Sequence, residues 1–183
     1  MTARVTPVAL LVGFGVSVGL RVLVGGDDVA RSVPAGLLFA ACLVALAVAA
    51  RTRVTASWRA VGLGVAGTAI LCLPVGLAQL VALKPLHDAR GFVSWAAAVV
   101  VVAGAEELFL RGTLFDAVPS PALAVVVSAV LFALLHVPMY GWQAAPLDLA
   151  VGVVLGGLRV EARSVVAPGI AHVGADLLGW FLR

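Results

Sequence analysis

Residues 91–115 read GFVSWAAAVVVVAGAEELFLRGTLF. The run is long enough to supply the roughly 20 apolar residues that a helix needs to cross a bilayer's hydrocarbon core. Inside it stand Glu106, Glu107 and Arg111. A charge at mid-bilayer costs about 2.5–3.5 kcal/mol on insertion scales, so each needs a partner or a task. This stretch therefore decides the fold class, a spanning helix, and opens the question of function.

The rest of the chain has the same character. Of 183 residues, 63% are hydrophobic and 11% charged, and the mean hydropathy is +1.16. Soluble domains carry about 25% charged and about 45–50% apolar residues. A water-soluble fold of this size cannot hide so much apolar surface, whereas a bilayer can. Polar or Pro/Gly breaks divide the chain into runs near 5–24, 33–50, 60–83, 91–115, 121–136, 147–160 and 165–182. These predict an all-α polytopic bundle of about six to seven transmembrane helices, with the short sixth run a tilted or partial span. There is no room for a separate soluble domain. The division by content is residues 1–90, helices of unassigned role, and residues 91–183, which hold the charged core.

Several features have plain readings. Arg21, near the end of the first run, is expected to snorkel to the headgroups. That run is long for a signal peptide, and no small-x-small cleavage site follows it, so it is expected to stay as a helix. Cys42 and Cys72 lie in apolar text and read as small core residues rather than a disulfide or metal pair. Arginines 51, 53 and 59 form the strongest basic cluster, which points their loop to the cytoplasm together with Arg4, Arg159 and Arg163; Lys84 and Arg90 fall on the other side. Loop arginines of this kind suit membrane orientation, and no nucleic-acid partner is expected.

Function rests on the ionisable residues inside the runs. Glu107 and Arg111, at i and i+4, lie about 40° apart round a helix, so they can form an internal ion pair. Glu106 is turned about 100° from Glu107 and needs another partner. Phe132 and His136 share a face, with Pro138 expected to place His136 in the last helical turn. His172 and Asp176 are again i,i+4, just beyond Pro168-Gly169, which should kink or restart the helix. Each motif alone has a bland reading: interfacial charges at a helix end, a hydrogen-bonded histidine, a self-satisfied His-Asp pair. Together they place costly groups on three apolar helices, and a shared polar cavity is the cheapest way to house them. The set could hold a zinc ion through Glu106, His136 and His172, with an open water position. Alternatively, Glu106 could act as general base on water, with the histidines stabilising an oxyanion or protonating a leaving amine.

The three motifs resemble those of the CAAX-protease and bacteriocin-processing (CPBP, or Abi) family of intramembrane peptidases: Glu-Glu-x-x-x-Arg, Phe-x-x-x-His and His-x-x-x-Asn/Asp. Here they run in the same order as Glu106-Glu107-x-x-x-Arg111, Phe132-x-x-x-His136 and His172-x-x-x-Asp176. The resemblance covers residues 91–182. It implies a protease with Glu106, His136, His172 and Asp176 lining a membrane cavity, and with Glu107, Arg111 and Phe132 in support. Asp176 stands where Asn is more usual; an ionised Asp accepts hydrogen bonds but cannot donate one. Members have been described both as metalloproteases and as metal-independent glutamate peptidases, so zinc stays open as the one cofactor. The expected partners are the lipid bilayer and a membrane-associated peptide or protein, prenylated CAAX-like or a leader peptide. The expected location is a bacterial cytoplasmic membrane, crossed several times. Two other classes are weighed. A proton-coupled transporter would also carry intramembrane Glu and His, but no internal repeat is evident. A non-catalytic bacteriocin-immunity protein would have no need of a full set of reactive residues.

Overall fold

A computed structural model describes residues 5–82 and 90–182; Arg4, Lys84 and Pro85 lie outside the described residues. Seven helices account for nearly all of it, with no strand among the described residues. They are α1 (Pro7–Gly25), α2 (Val33–Ala49), α3 (Trp58–Ala82), α4 (Phe92–Ala117), α5 (Pro121–Tyr140), α6 (Ala145–Ala162) and α7 (Val166–Gly179).

Local chemistry explains where these helices start and stop. Thr6, Ser32 and Ser120 each accept a hydrogen bond from a first-turn N–H, and a proline opens the helix behind each. A hydroxyl cap followed by proline is a strong start signal, because proline's missing N–H would be unpaired there anyway. Gly141, at φ +79°, ends α5 in a conformation that L-residues with a Cβ avoid. The expectation that Pro138 stops this helix is corrected: α5 continues through Pro138 to Tyr140. So close to the end, proline removes only one ladder bond, and Gly141 is the real stop. Pro168 lies in the first turn of α7, so the helix restarts just ahead of His172.

Among the described residues, five segments are long and apolar enough to cross a membrane: Pro7–Asp28, Trp58–Ala78, Phe92–Ala117, Pro121–Tyr140 and Trp142–Ala162. The last of these corrects the reading of the sixth run as partial, since a 3₁₀ turn at Trp142–Ala144 extends α6 to 21 residues. The remaining two are shorter. Helix α2 has 17 residues, about 26 Å at 1.5 Å each, and α7 has 14. The outer surface is apolar, with Val8, Leu23, Leu80 and Val93 all exposed, as a lipid-facing coat requires. Trp58 and Trp142 are exposed near helix starts, at positions suited to the headgroup region. The protein is an integral membrane protein.

Inside, Phe14 of α1, Phe39 of α2 and Phe109 of α4 are buried; Phe14 stacks on Phe109 at 5.4 Å and tilts against Phe39 at 6.4 Å. The C-terminal helices close on small residues instead. A Cβ at Gly152 of α6 would come within 2.7 Å of the Cα of Ala129 on α5. One at Gly64 of α3 would lie 2.9 Å from the carbonyl oxygen of Ala167 on α7. Thr68 adds a hydrogen bond to the Ile170 carbonyl at 3.2 Å. Small residues and hydroxyls are what let helices associate where no water drives them together. These contacts seat α7, and with it His172. Cys42 and Cys72 are unpaired and half-buried. Arg59 pairs with Glu161, and Ser164 donates to the Thr55 carbonyl, so the arginine loop after α2 shares one face with the α6–α7 turn.

Candidate active site

Helix α4 changes gauge where it carries the charges. Its α-helical part ends at Glu107, and Leu108–Leu114 is a π-helical stretch, buried from Phe109 onward, before a last α-turn at Phe115–Ala117. Such wide turns are uncommon and tend to occur at functional sites. Within it the Thr113 hydroxyl reaches back to the Leu108 carbonyl at 3.4 Å and bonds Thr52 at 2.6 Å. The Arg111 carbonyl accepts from Arg159 Nε at 2.8 Å, and Arg159 continues to Asp116 at 2.6 Å.

The two adjacent glutamates face different neighbours, as their 100° separation requires. Glu107 turns toward α7 and is 1% exposed. Its Oε1 accepts from Arg111 Nη1 at 2.7 Å and from His172 Nδ1 at 3.0 Å. Arg111 is wholly buried, donates Nη2 to the Gly152 carbonyl at 3.2 Å, and holds its guanidinium 4.8 Å above the Phe132 ring. The pairing expected from the i,i+4 spacing is present, and His172 joins it. One carboxylate thus locks four helices: α4, α7, and through Arg111, α5 and α6.

Glu106 turns toward α1. Its Oε1 accepts from Arg21 Nη1 at 3.2 Å, and both residues are buried. The Arg21 guanidinium lies 4.9 Å from the Phe39 ring centre. Arg21 therefore does not snorkel. Its length would allow either course, but a buried carboxylate attracts it with little solvent screening. This is the partner that the geometry of α4 demanded for Glu106.

Phe132 stands between the two imidazoles, edge-on to His136 at 4.5 Å and to His172 at 5.2 Å. His136 Nδ1 bonds the Phe132 carbonyl at 2.8 Å. A carbonyl only accepts, so Nδ1 carries the hydrogen and Nε2 is left for chemistry. His172 is held likewise, with Nδ1 on Glu107 and Nε2 facing Asp176 Oδ2 at 3.6 Å. That separation exceeds a hydrogen bond. The Asp176 side chain is 43% exposed, so this side of the site is open.

Two residues went unremarked in the sequence. Asp148 in α6 lies within reach of the charges of His136, His172 and Glu106, and one of its oxygens is buried without a hydrogen-bond partner among the described residues. Tyr140 stacks against His136 at 5.7 Å and lies in the field of Asp176, Arg21, Glu106 and Asp148. Both were detectable by the same test that picked out Glu106: Asp148 is a lone acid in an apolar run, and Tyr140 is one turn beyond His136.

The zinc set offered by the sequence does not fit this geometry. Among the described residues, no three of His, Cys, Asp and Glu are grouped so as to hold a metal ion. Glu106 Oε1 is engaged by Arg21.

Fold and site together define a polytopic helical membrane protein with a buried acid–imidazole centre. Residues 88–178 match the family model described as type II CAAX prenyl endopeptidase Rce1-like. Through that segment, which contains Glu106, Glu107, Arg111, Phe132, His136, His172 and Asp176, the chain belongs to this family of CAAX-type intramembrane peptidases. No curated protein and no solved structure matches the chain.

Proposed function

We propose that the protein is an intramembrane endopeptidase in which Glu106 activates water against the scissile carbonyl. One observation carries this reading: α4, α5 and α7 bring their motifs together around Phe132, which contacts both imidazoles, with Glu107 fixing His172 and Glu106 the adjacent residue on α4. Such convergence is the arrangement expected of a nucleophile-activating base with supporting groups.

The chemistry follows from the donors and acceptors. The Glu106 carboxylate takes a proton from water as the water oxygen bonds to the carbonyl carbon, and the carbonyl oxygen gains the negative charge. His136 and His172 each present Nε2, the nitrogen not bound to the protein. A protonated Nε2 donates to that oxyanion. As the C–N bond breaks, the leaving amine receives the proton held by Glu106. Asp176, near His172 Nε2, supports the imidazolium rather than the oxyanion, because a carboxylate cannot donate. No step uses a metal.

The substrate class is a peptide bond held at the membrane, in a prenylated CAAX-like or leader-peptide substrate, and the setting is a bacterial cytoplasmic membrane. Incubating the protein in nanodiscs with lipid-anchored and free peptide libraries, prenylated members included, and mapping products by mass spectrometry tests this. Defined cleavage sites confined to membrane-anchored peptides are expected. Substrate-dependent proton flux in liposomes without any cleavage would contradict it in favour of a transporter.

A further inference from the structure

Helix α1 lies wholly outside the matched residues 88–178, yet it supplies the cation that touches Glu106. We propose that Arg21 is a positioning residue of the hydrolytic site, pinning one Glu106 oxygen so that the other faces the water to be activated. This rests on the protease reading above.

Four observations support it. The contact spans 85 positions in sequence, so helix geometry alone does not produce it. Arg21 is buried at 8% exposure although it stands only a few residues from the end of α1, where a long side chain could reach water. The guanidinium is held from a second side by the Phe39 ring. Phe39 belongs to the Phe14–Phe39–Phe109 cluster that fixes α1 and α2 on α4. The arginine is therefore supported by packed aromatics and cannot swing freely. A guanidinium held against a ring and donating through Nη1 fixes the direction of one carboxylate oxygen better than a mobile ammonium does. Glu107 has its own guanidinium in Arg111. The site thus has two carboxylate–guanidinium pairs: one within α4 that builds the fold, and one from α1 that aims the base. On this view α1 is part of the catalytic unit.

Turnover of the full-length protein in nanodiscs, on a peptide that the wild type cleaves, is the test. Arg21→Met keeps bulk without donors. It is expected to lower kcat on the order of 10²-fold, the scale of losing one oriented donor, and to change KM by less than about threefold. Arg21→Lys restores the charge without the planar guanidinium and should recover part of kcat. In a Glu106→Gln background, Arg21→Met should have no further effect on the residual rate, since the two act through one carboxylate. Thermal unfolding of each variant confirms that it is folded, and if Arg21→Met fails to fold, the kcat-against-KM split in Arg21→Lys decides. Wild-type turnover in both variants, a rise in KM with kcat unchanged, or an effect that adds to Glu106→Gln would each overturn the proposal while leaving the protease reading intact. A wild type that cleaves nothing defeats the protease reading itself, and the proposal with it.

Discussion

The two flanks of α4 differ sharply although they start from adjacent residues. On the α7 side, Glu107 and Arg111 are sealed at 1% and 0% exposure, and the carboxylate is tied to an arginine on its own helix and a histidine on another. On the α1 side, Glu106 has a single arginine borrowed from the far end of the sequence. Beyond the sealed pair, Asp176 and Tyr140 are open to the surroundings. A step of one residue round a helix therefore separates a carboxylate tied to its own helix and to α7 from one tied to α1. The lesson is that identical side chains in one motif take their roles from their neighbours.

That comparison can be broken from its strong side first. Arg111→Met leaves Glu107 buried without its cation, and removing one partner of a buried pair costs about 3–5 kcal/mol. Thermal unfolding in detergent should show a large loss of stability, and a variant as stable as wild type would mean that the sealed side is not structural. Next, Gly152→Val drives a side chain into the Ala129 backbone and displaces the carbonyl that receives Arg111. Overpacking of this kind costs about 1–3 kcal/mol, again read by unfolding. On the open side the effects are smaller. Asp176→Asn should keep the fold and change turnover by less than about tenfold, or about 1.4 kcal/mol, because the residue is half-exposed and lies beyond hydrogen-bond range of His172. Smallest is Arg59→Ala, which removes an exposed pair with Glu161. Surface ion pairs contribute about 0–1 kcal/mol, so unfolding should hardly move.

Much of this was legible from the residues alone. Apolar runs marked all seven helices, because length and hydropathy are local properties. The Glu107–Arg111 pair followed from the 3.6-residue period. What escaped was either long-range or contrary to a local rule. Arg21 was read toward water because nothing near it in sequence reveals Glu106, 85 residues on. Pro138 was read as a stop, although one missing N–H near a helix end is tolerated. The π-helical gauge of Leu108–Leu114 has no local signature in LFLRGTL; it accompanies the ties of Thr113 to Thr52 and of Arg111 to Arg159. The third helix end, near Lys84-Pro85, lies outside the described residues.

The central claim is that Glu106 does chemistry while Glu107 holds the fold. Its most direct test is to measure cleavage and thermal unfolding side by side for wild type, Glu106→Gln and Glu107→Gln in nanodiscs. Glu106→Gln should unfold within a few degrees of wild type and lose turnover by about 10²–10⁴-fold, the range of general-base catalysis; Glu107→Gln should be clearly destabilised. Undiminished cleavage by folded Glu106→Gln would contradict the account.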